Sequence, residues 1–286
     1  METGTISAAR VEGGRRTRGL TAAGTVRIPL VSVITVVRNR AEQVEETIRA
    51  VLGQTYARIE YIVVDAASTD GTVDVLRRYD DRIGYWLSEP DAGIYDAMNK
   101  AIDLVSDPES YIIFANSDDR LYSSQAIERL VEGGGGADLV YGKMTITDGE
   151  ASRVYGREVV LNDLAGETIC HPATLIRRKV FDEVGRFDTS FSIAADYDLI
   201  VRCFAQPVTT RFVPEIISRM SMGGASEDQF MISCRERKRV VRSRFKSVAR
   251  FTGVWRVNLY DIPRNTARRW LARAGLLTYW RSLKQL

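Results

Sequence analysis

The sequence predicts an α/β fold: a mainly parallel sheet with helices on both faces, followed by a basic α-helical C-terminal tail. Three observations carry this expectation. Four short apolar runs alternate with segments of helical spacing, the pattern of successive β–α–β units. Each apolar run is followed by a polar, usually acidic, segment. From Arg235 onward, basic residues far outnumber the two acids, Glu236 and Asp261.

Residues 1–27 are rich in Gly, Thr, Arg and Ala without a period and read as a flexible lead. A main domain is expected over 28–226 and a basic helical extension over 227–286. Leu30 to Val37 (LVSVITVV) is β-branched and apolar on both alternations, as in a strand buried on both faces. Ala41 to Leu52 has helical spacing at Val44, Ile48, Val51 and Leu52. Ile59 to Val64 is the second strand, and Asp70 is placed to cap the helix that carries Val73, Val75, Leu76 and Tyr79. Ile83 to Leu87 is the third strand and Ile94 to Val105 a helix. Tyr111 to Ala115 (YIIFA) is the fourth strand. Gly133–Gly136 reads as a loop. Beyond it come short strands at Leu139–Tyr141 and Lys143–Thr147, a turn at Asp148-Gly149, helices over Arg178–Val184 and Asp196–Phe204, and a strand at Thr209–Val213.

Composition narrows the function classes. The chain has 286 residues and a formal net charge of only +3, so no global field points to nucleic acid. Three widely spaced cysteines (Cys170, Cys203 and Cys234) argue against a disulfide framework and fit a reducing compartment. Arg15, Arg16 and Arg18 are not followed by an apolar run, and nothing approaches the ~20 residues of a membrane span. A cytoplasmic protein is expected, peripheral on the inner face of the membrane where its tail meets anionic lipid.

Ligands of open parallel sheets bind at the carboxyl ends of the strands. The polar residues there are Thr35, Arg38 and Asn39 after the first strand, Asp65 after the second, Ser88–Ala101 after the third, and Asn116, Ser117, Asp118 and Asp119 after the fourth. One strand-end Asp is usually a cap or turn former. Acids at the ends of three successive strands converge on one edge, as a nucleotide-sugar site requires. Carboxylates there accept hydrogen bonds from base or ribose, and oxygen ligands hold a divalent cation against two phosphates.

In order and spacing, ITVVRN, EETIRAVLGQTY, IEYIVVDAASTDGT, EPDAGIYDAMNKAI and FANSDDRLY resemble the family 2 glycosyltransferases of GT-A type. The resemblance runs from about Val31 to Gly224. The segment from Cys170 to Phe204 is similar to bacterial enzymes of exopolysaccharide, colanic-acid-type and mycobacterial glycolipid assembly. The resemblance implies an inverting transfer of sugar from a nucleotide-sugar to an acceptor hydroxyl on a glycan or lipid-linked substrate. It assigns Thr35, Asp65 and Asp91 to the base and ribose pocket, and the helix of Tyr95, Asn99 and Lys100 to the donor-sugar pocket. It assigns Asp118 and Asp119 to Mg²⁺ or Mn²⁺. Two departures stand out: Asn116 replaces the usual first carboxylate, and Ala66-Ala67 stands where relatives often have glycines.

For the general base the family places an acid at the start of a helix, which Asp196 matches. Asp198 is the rival, two residues on and so on another face. His171, the only histidine, is read as either a donor or metal contact or a polar loop residue. The small-residue stretch 221–226 is a candidate loop over the diphosphate. The tail reads either as a membrane-surface helix or as a helix packed on the domain with its charges in water. Two other functions compete: a sugar-nucleotide pyrophosphorylase, which lacks its glycine-rich loop here, and a catalytically inactive, membrane-associated binding protein, which Asn116 keeps open.

Overall fold

The computed structural model describes residues 10–20, 28–105, 107–117, 119–148, 151–221, 229–246, 253–254 and 256–257. Its elements run β1 (Val11–Gly13), β2 (Val31–Val37), α1 (Ala41–Leu52), β3 (Ile59–Asp65), α2 (Thr72–Arg78), β4 (Tyr85–Ser88), α3 (Ile94–Asp103) and β5 (Tyr111–Phe114). They continue with β6 (Asp119–Leu121), α4 (Ala126–Gly134), β7 (Leu139–Asp148), β8 (Ala151–Tyr155), β9 (Thr174–Arg177), α5 (Val180–Glu183), α6 (Ala195–Phe204), β10 (Thr210–Ser221) and α7 (Phe230–Arg244). One sheet holds all the strands in the order β1-β4-β3-β2-β5-β9-β7-β10-β6, with β8 paired to β7. The β4-β3-β2-β5 block is parallel, as is the β7–β10 pair. Strands β1, β6, β8 and β9 join antiparallel.

Both faces of β2 are buried, which is why its sequence shows no alternation. Val31, Val33 and Val37 pack in the core beneath α1, α2 and α4, while Ile34 and Val36 pack in the core beneath α3, α5 and α6. The second core also contains Val240, Val241 and Phe245. Helix α7 is therefore built into the domain, although the sequence assigns it to an extension.

Two sequence expectations change. Residues 10–20 of the expected flexible lead form β1 and a short 3₁₀ turn against β4. A Cβ on Gly13 would lie 2.4 Å from Asp80 and 2.6 Å from the Trp86 ring, so this glycine permits close approach rather than flexibility. Gly133 and Gly134, expected in a loop, end α4 instead. A Cβ on Gly134 would meet the Val140 side chain at 2.6 Å, so α4 needs a bare backbone to lie on β7.

Candidate active site

The carboxyl edge of β2, β3 and β5 gathers most of the polar residues singled out in the sequence. The loops after β2 and β3 are tied to each other. Asn39 N–H donates to Ser68 Oγ at 2.7 Å, and Thr69 N–H donates to Asn39 Oδ1 at 2.9 Å. Asp70 bridges the starts of two helices, accepting from Ala41 N–H of α1 and from Thr72 N–H and Oγ1–H of α2. This lattice holds both Asn39 and Ala67 at positive φ, 51° and 50°. Asn tolerates that region; Ala carries a Cβ penalty there.

Asp65 ends β3 fully buried. Its Oδ2 accepts Ser68 N–H at 2.9 Å and Ser88 Oγ–H at 2.6 Å. Its buried Oδ1 has no partner among the described residues. A buried carboxylate oxygen without a donor is costly unless a ligand supplies one.

A second group forms where β5, β6 and α6 meet. Asn116 follows β5; its Oδ1 accepts Val36 N–H at 3.4 Å and its Nδ2 lies 3.4 Å from His171 Nε2. Asp119 begins β6 with 9% of its side chain exposed, its Oδ2 lying 3.5 Å from the same nitrogen. On the other side of the ring, His171 Nδ1 lies 3.3 Å from Asp196 Oδ2. Asp196 Oδ1 accepts Tyr197 N–H at 2.8 Å and lies 3.3 Å from the Tyr95 hydroxyl. That hydroxyl also donates to the Ile193 carbonyl at 2.6 Å. The histidine thus sits between two carboxylates contributed by distant parts of the chain.

Electrostatics follow from this placement. Burial acts to lower the His171 pKa, but hydrogen bonds to Asp119 and Asp196, and then their charges, carry it well above its usual value. Burial acts to raise the Asp196 pKa; the His171 hydrogen bond and charge outweigh it and hold the carboxyl below its ordinary range. Burial, and then the Asp196 charge, push the Tyr95 phenol up, so it stays a donor. Asp196 is therefore an ionised carboxylate with 26% of its side chain open to solvent.

The rival acid has another role. Asp198 is 1% exposed and binds Arg202 Nε through Oδ2 at 2.8 Å and Arg244 Nε through Oδ1 at 3.0 Å. Oδ1 thereby ties α6 to α7, while Oδ2 holds an arginine of its own helix. Of the two acids, Asp196 alone faces the His171 group.

Several other expected site residues are held elsewhere. Thr35 is fully buried, its hydroxyl donating to the Ala115 carbonyl at 2.5 Å and lying 3.1 Å from Tyr61 Oη, so it ties strands together. Asn99 pairs both amide atoms with the Phe187 backbone, at 2.9 and 3.1 Å. It brackets α3 to the segment before α6. Lys100 donates to the Pro90 carbonyl at 2.8 Å and meets Glu89 and Asp96 at 3.2 and 3.4 Å. Asp91 accepts Gly93 N–H at 2.9 Å in the turn that starts α3. Arg38 is exposed at the exit of β2, and Ser117 is half-buried between β5 and β6. Asp118 and the stretch 222–226 lie outside the described residues.

Asp119 offers a carboxylate oxygen, a ligand type that suits a divalent cation such as Mn²⁺. Among the described residues no group of three His, Cys, Asp or Glu is arranged to hold a metal. Ser68, which holds Asp65 together with Ser88, and Glu236 were not given site roles from the sequence. Glu236 carried one signal: it is the lone acid in the basic run Phe230–Arg244.

Comparison with known proteins decides the class. The model of the family described as glycosyl transferase family 2 matches residues 32–185. The chain belongs to this family. The glycosyltransferase is 30% identical over 207 residues to a PGL/p-HBAD biosynthesis glycosyltransferase of Mycobacterium bovis, covering 69% of this chain and 79% of the relative. Its fold is similar to that of the mannosyltransferase PcManGT from Pyrobaculum calidifontis, solved with GDP-Man and Mn²⁺. The TM-score is 0.63 at 17% identity, over 93% of this chain and 83% of that one. It is also similar to S. aureus TarS 1-349 in complex with UDP-GlcNAc, with a TM-score of 0.59 at 14% identity, over 80% and 71% of the two chains. The GT-A fold and glycosyltransferase class expected from the sequence both stand. Among the described residues no helix is long and apolar enough to cross a membrane.

Proposed function

We propose that this glycosyltransferase inverts the anomeric centre of a nucleotide-sugar, passing the sugar to an acceptor hydroxyl in cell-envelope glycan or glycolipid assembly, with Asp196 as general base. The observation that carries the reading is the ionised, partly open Asp196 carboxylate held between His171, Tyr95 and its own helix start. Such a base takes the acceptor proton as the hydroxyl oxygen attacks the anomeric carbon. The nucleoside diphosphate leaves from the opposite face, and a single displacement of this kind inverts configuration.

The donor end is supported by the unpartnered Oδ1 of Asp65, which would accept an N–H of the base or a ribose hydroxyl. Arg38 and Asn39 stand on the same edge, as does the Asp91 turn. A divalent cation, Mg²⁺ or Mn²⁺, held by Asp119 together with Asp118, would offset charge on the departing diphosphate. Neighbours solved with UDP-GlcNAc or GDP-Man and Mn²⁺ support this donor class, and the mycobacterial relative named for PGL/p-HBAD biosynthesis supports the acceptor class.

The basic helix α7 supports work at an anionic membrane surface with a lipid-linked acceptor. Three of its arginines face inward: Arg237 over Tyr197, Arg239 over Phe191 and Arg244 on Asp198. Arg235, Arg242 and Lys246 are exposed and free to face lipid headgroups.

The test is metal-dependent turnover of a panel of nucleotide-sugars, followed by Asp196→Asn. The variant should bind donor as before and lose transfer. No binding or hydrolysis with any divalent ion would point to the inactive binding protein, and retained turnover in the variant would move the base elsewhere.

A further inference from the structure

The segment that delivers Asp196 is gripped from two sides. From α3, Tyr95 binds the Ile193 carbonyl. From α7, one carboxylate takes three consecutive backbone donors: Glu236 Oε1 accepts Ser192 N–H at 2.8 Å, and Oε2 accepts Ile193 N–H at 2.9 Å and Ala194 N–H at 3.0 Å. These N–H groups precede α6, which begins at Ala195, and no helix carbonyl reaches them. Arg239 braces the same segment through the Ser190 hydroxyl at 2.9 Å and the Phe191 ring. The family model ends at residue 185, so neither Glu236 nor the loop it holds lies within the matched region.

We infer that Glu236 is a positioning residue for the general base, and that α7 is part of the catalytic unit. The inference rests on the assignment of the base to Asp196. The Glu236 side chain fixes the three peptide planes immediately before Ala195, and so fixes where the first turn of α6 starts. That turn carries Asp196, whose own side-chain anchors are the adjacent Tyr197 N–H, the Tyr95 hydroxyl and His171 Nδ1, none of which fixes the backbone that precedes α6. Without Glu236 the three N–H groups before Ala195 lose their acceptor, and the segment keeps only the Tyr95 grip at Ile193 and the Arg239 brace at Ser190 and Phe191, so its C-terminal end can shift. The base would then swing from the acceptor hydroxyl by a fraction of its hydrogen-bond length, and an offset of about 1 Å is enough to lower a rate ~10²-fold. Donor contacts on β2, β3 and β5 would be untouched. The defect should therefore fall on kcat and on acceptor use, with donor KM spared.

The experiment compares Glu236→Ala, Glu236→Gln and the double variant Glu236→Ala with Asp196→Asn, using steady-state transfer, donor KM and thermal melting. Glu236→Ala is expected to lower kcat by ~30–100-fold with donor KM within about twofold, and Glu236→Gln, which keeps one acceptor oxygen, should fall between it and wild type. Val240→Ala, a core truncation on the same helix, serves as the stability-matched control and should keep kcat. The double variant should be no slower than Asp196→Asn, because the two act through one group. A Glu236→Ala enzyme with near wild-type kcat overturns the inference, as does a Val240→Ala enzyme with an equal loss. If Asp196→Asn retains turnover, the base assignment itself fails, a result readable without the Glu236 variants.

Discussion

His171 Nδ1 lies 3.3 Å from Asp196 Oδ2, while the opposite ring nitrogen faces Asp119 at 3.5 Å. One imidazole thereby links the acid expected at the diphosphate end to the acid expected at the acceptor end. His171→Asn keeps a polar group of similar reach but loses the cation and the second nitrogen. Transfer should fall by ~10–100-fold, the scale of losing an outer partner that orients a site residue. Because a positive charge beside Asp119 is removed, the concentration of Mn²⁺ needed for half-maximal activity should fall. Steady-state assays across a metal titration check both; unchanged kcat would reduce His171 to a loop residue.

Asp65 gives a prediction at the donor end. Its Oδ2 is held by Ser68 and Ser88, and its Oδ1 has no donor among the described residues. In Asp65→Asn the residue can still accept from one of those partners, but the charge is gone and an N–H₂ competes for the ligand's donor. A hydrogen bond to a charged group is worth about 1.5–3 kcal/mol, so donor affinity should drop by ~10–100-fold. The melting-temperature rise produced by saturating nucleotide-sugar should shrink accordingly. Full thermal stabilisation by donor in the variant would remove Asp65 from the pocket.

The strands and helices from β2 to β5 were legible because the strands are short, mostly apolar, largely buried runs and the helices between them carry apolar residues at helical spacing. The antiparallel strands were not. Strands β6 and β9 are three and four residues long, too short for alternation to register, and they exist because β10, β7 and β5 offer them edges. The glycines misled for a similar reason. Gly13 and Gly134 look like breaks in the sequence, yet each is small because a Trp86 ring or a Val140 side chain lies against it. At the proposed site, residue type and strand position singled out Asp65 and Asp119, the lone histidine drew attention to His171, and the family resemblance pointed to Asp196. They could not separate these from Thr35 and Asn99, whose polar atoms turn inward to Ala115 and Phe187. Glu236 was hidden because its partners are backbone N–H groups 42–44 residues away, which no side-chain pattern records.

Ala67 offers a test of backbone strain beside the site. Its φ of 50° lies in the left-handed region, where a Cβ is unfavourable, and the cross-ties from Asn39 to Ser68 and Thr69 hold it there. Ala67→Gly relieves the strain at the cost of a more flexible unfolded chain. The balance should stabilise the protein by about 0.5–1 kcal/mol, read as a higher denaturation midpoint with an unchanged slope. A lower midpoint would mean that the alanine methyl contributes packing that outweighs its backbone cost.

Asp138 gives a pH-dependent prediction away from the catalytic residues. It begins the turn into β7 and locks it to the start of β10: its Oδ2 accepts the Thr209 hydroxyl at 2.6 Å and Thr209 N–H at 3.2 Å, while Oδ1 lies 3.6 Å from both Arg177 and Lys179. Partial burial acts to raise its pKa, but the Thr209 hydrogen bonds and then the Lys179 and Arg177 charges lower it below the usual value. A carboxyl with a depressed folded pKa contributes stability that is fully present above its unfolded pKa of about 3.9 and is lost as pH falls through the folded value. Asp138→Asn should therefore destabilise the protein by about 1–2 kcal/mol at pH 7, the scale of a hydrogen bond to a charged group. The difference from wild type should narrow steadily below pH 4, because the wild-type carboxyl is then protonated as well. Urea denaturation at pH 7, 5 and 3.5 measures the trend, and a difference that stays constant across that series would show that the loop is held by the neutral contacts alone.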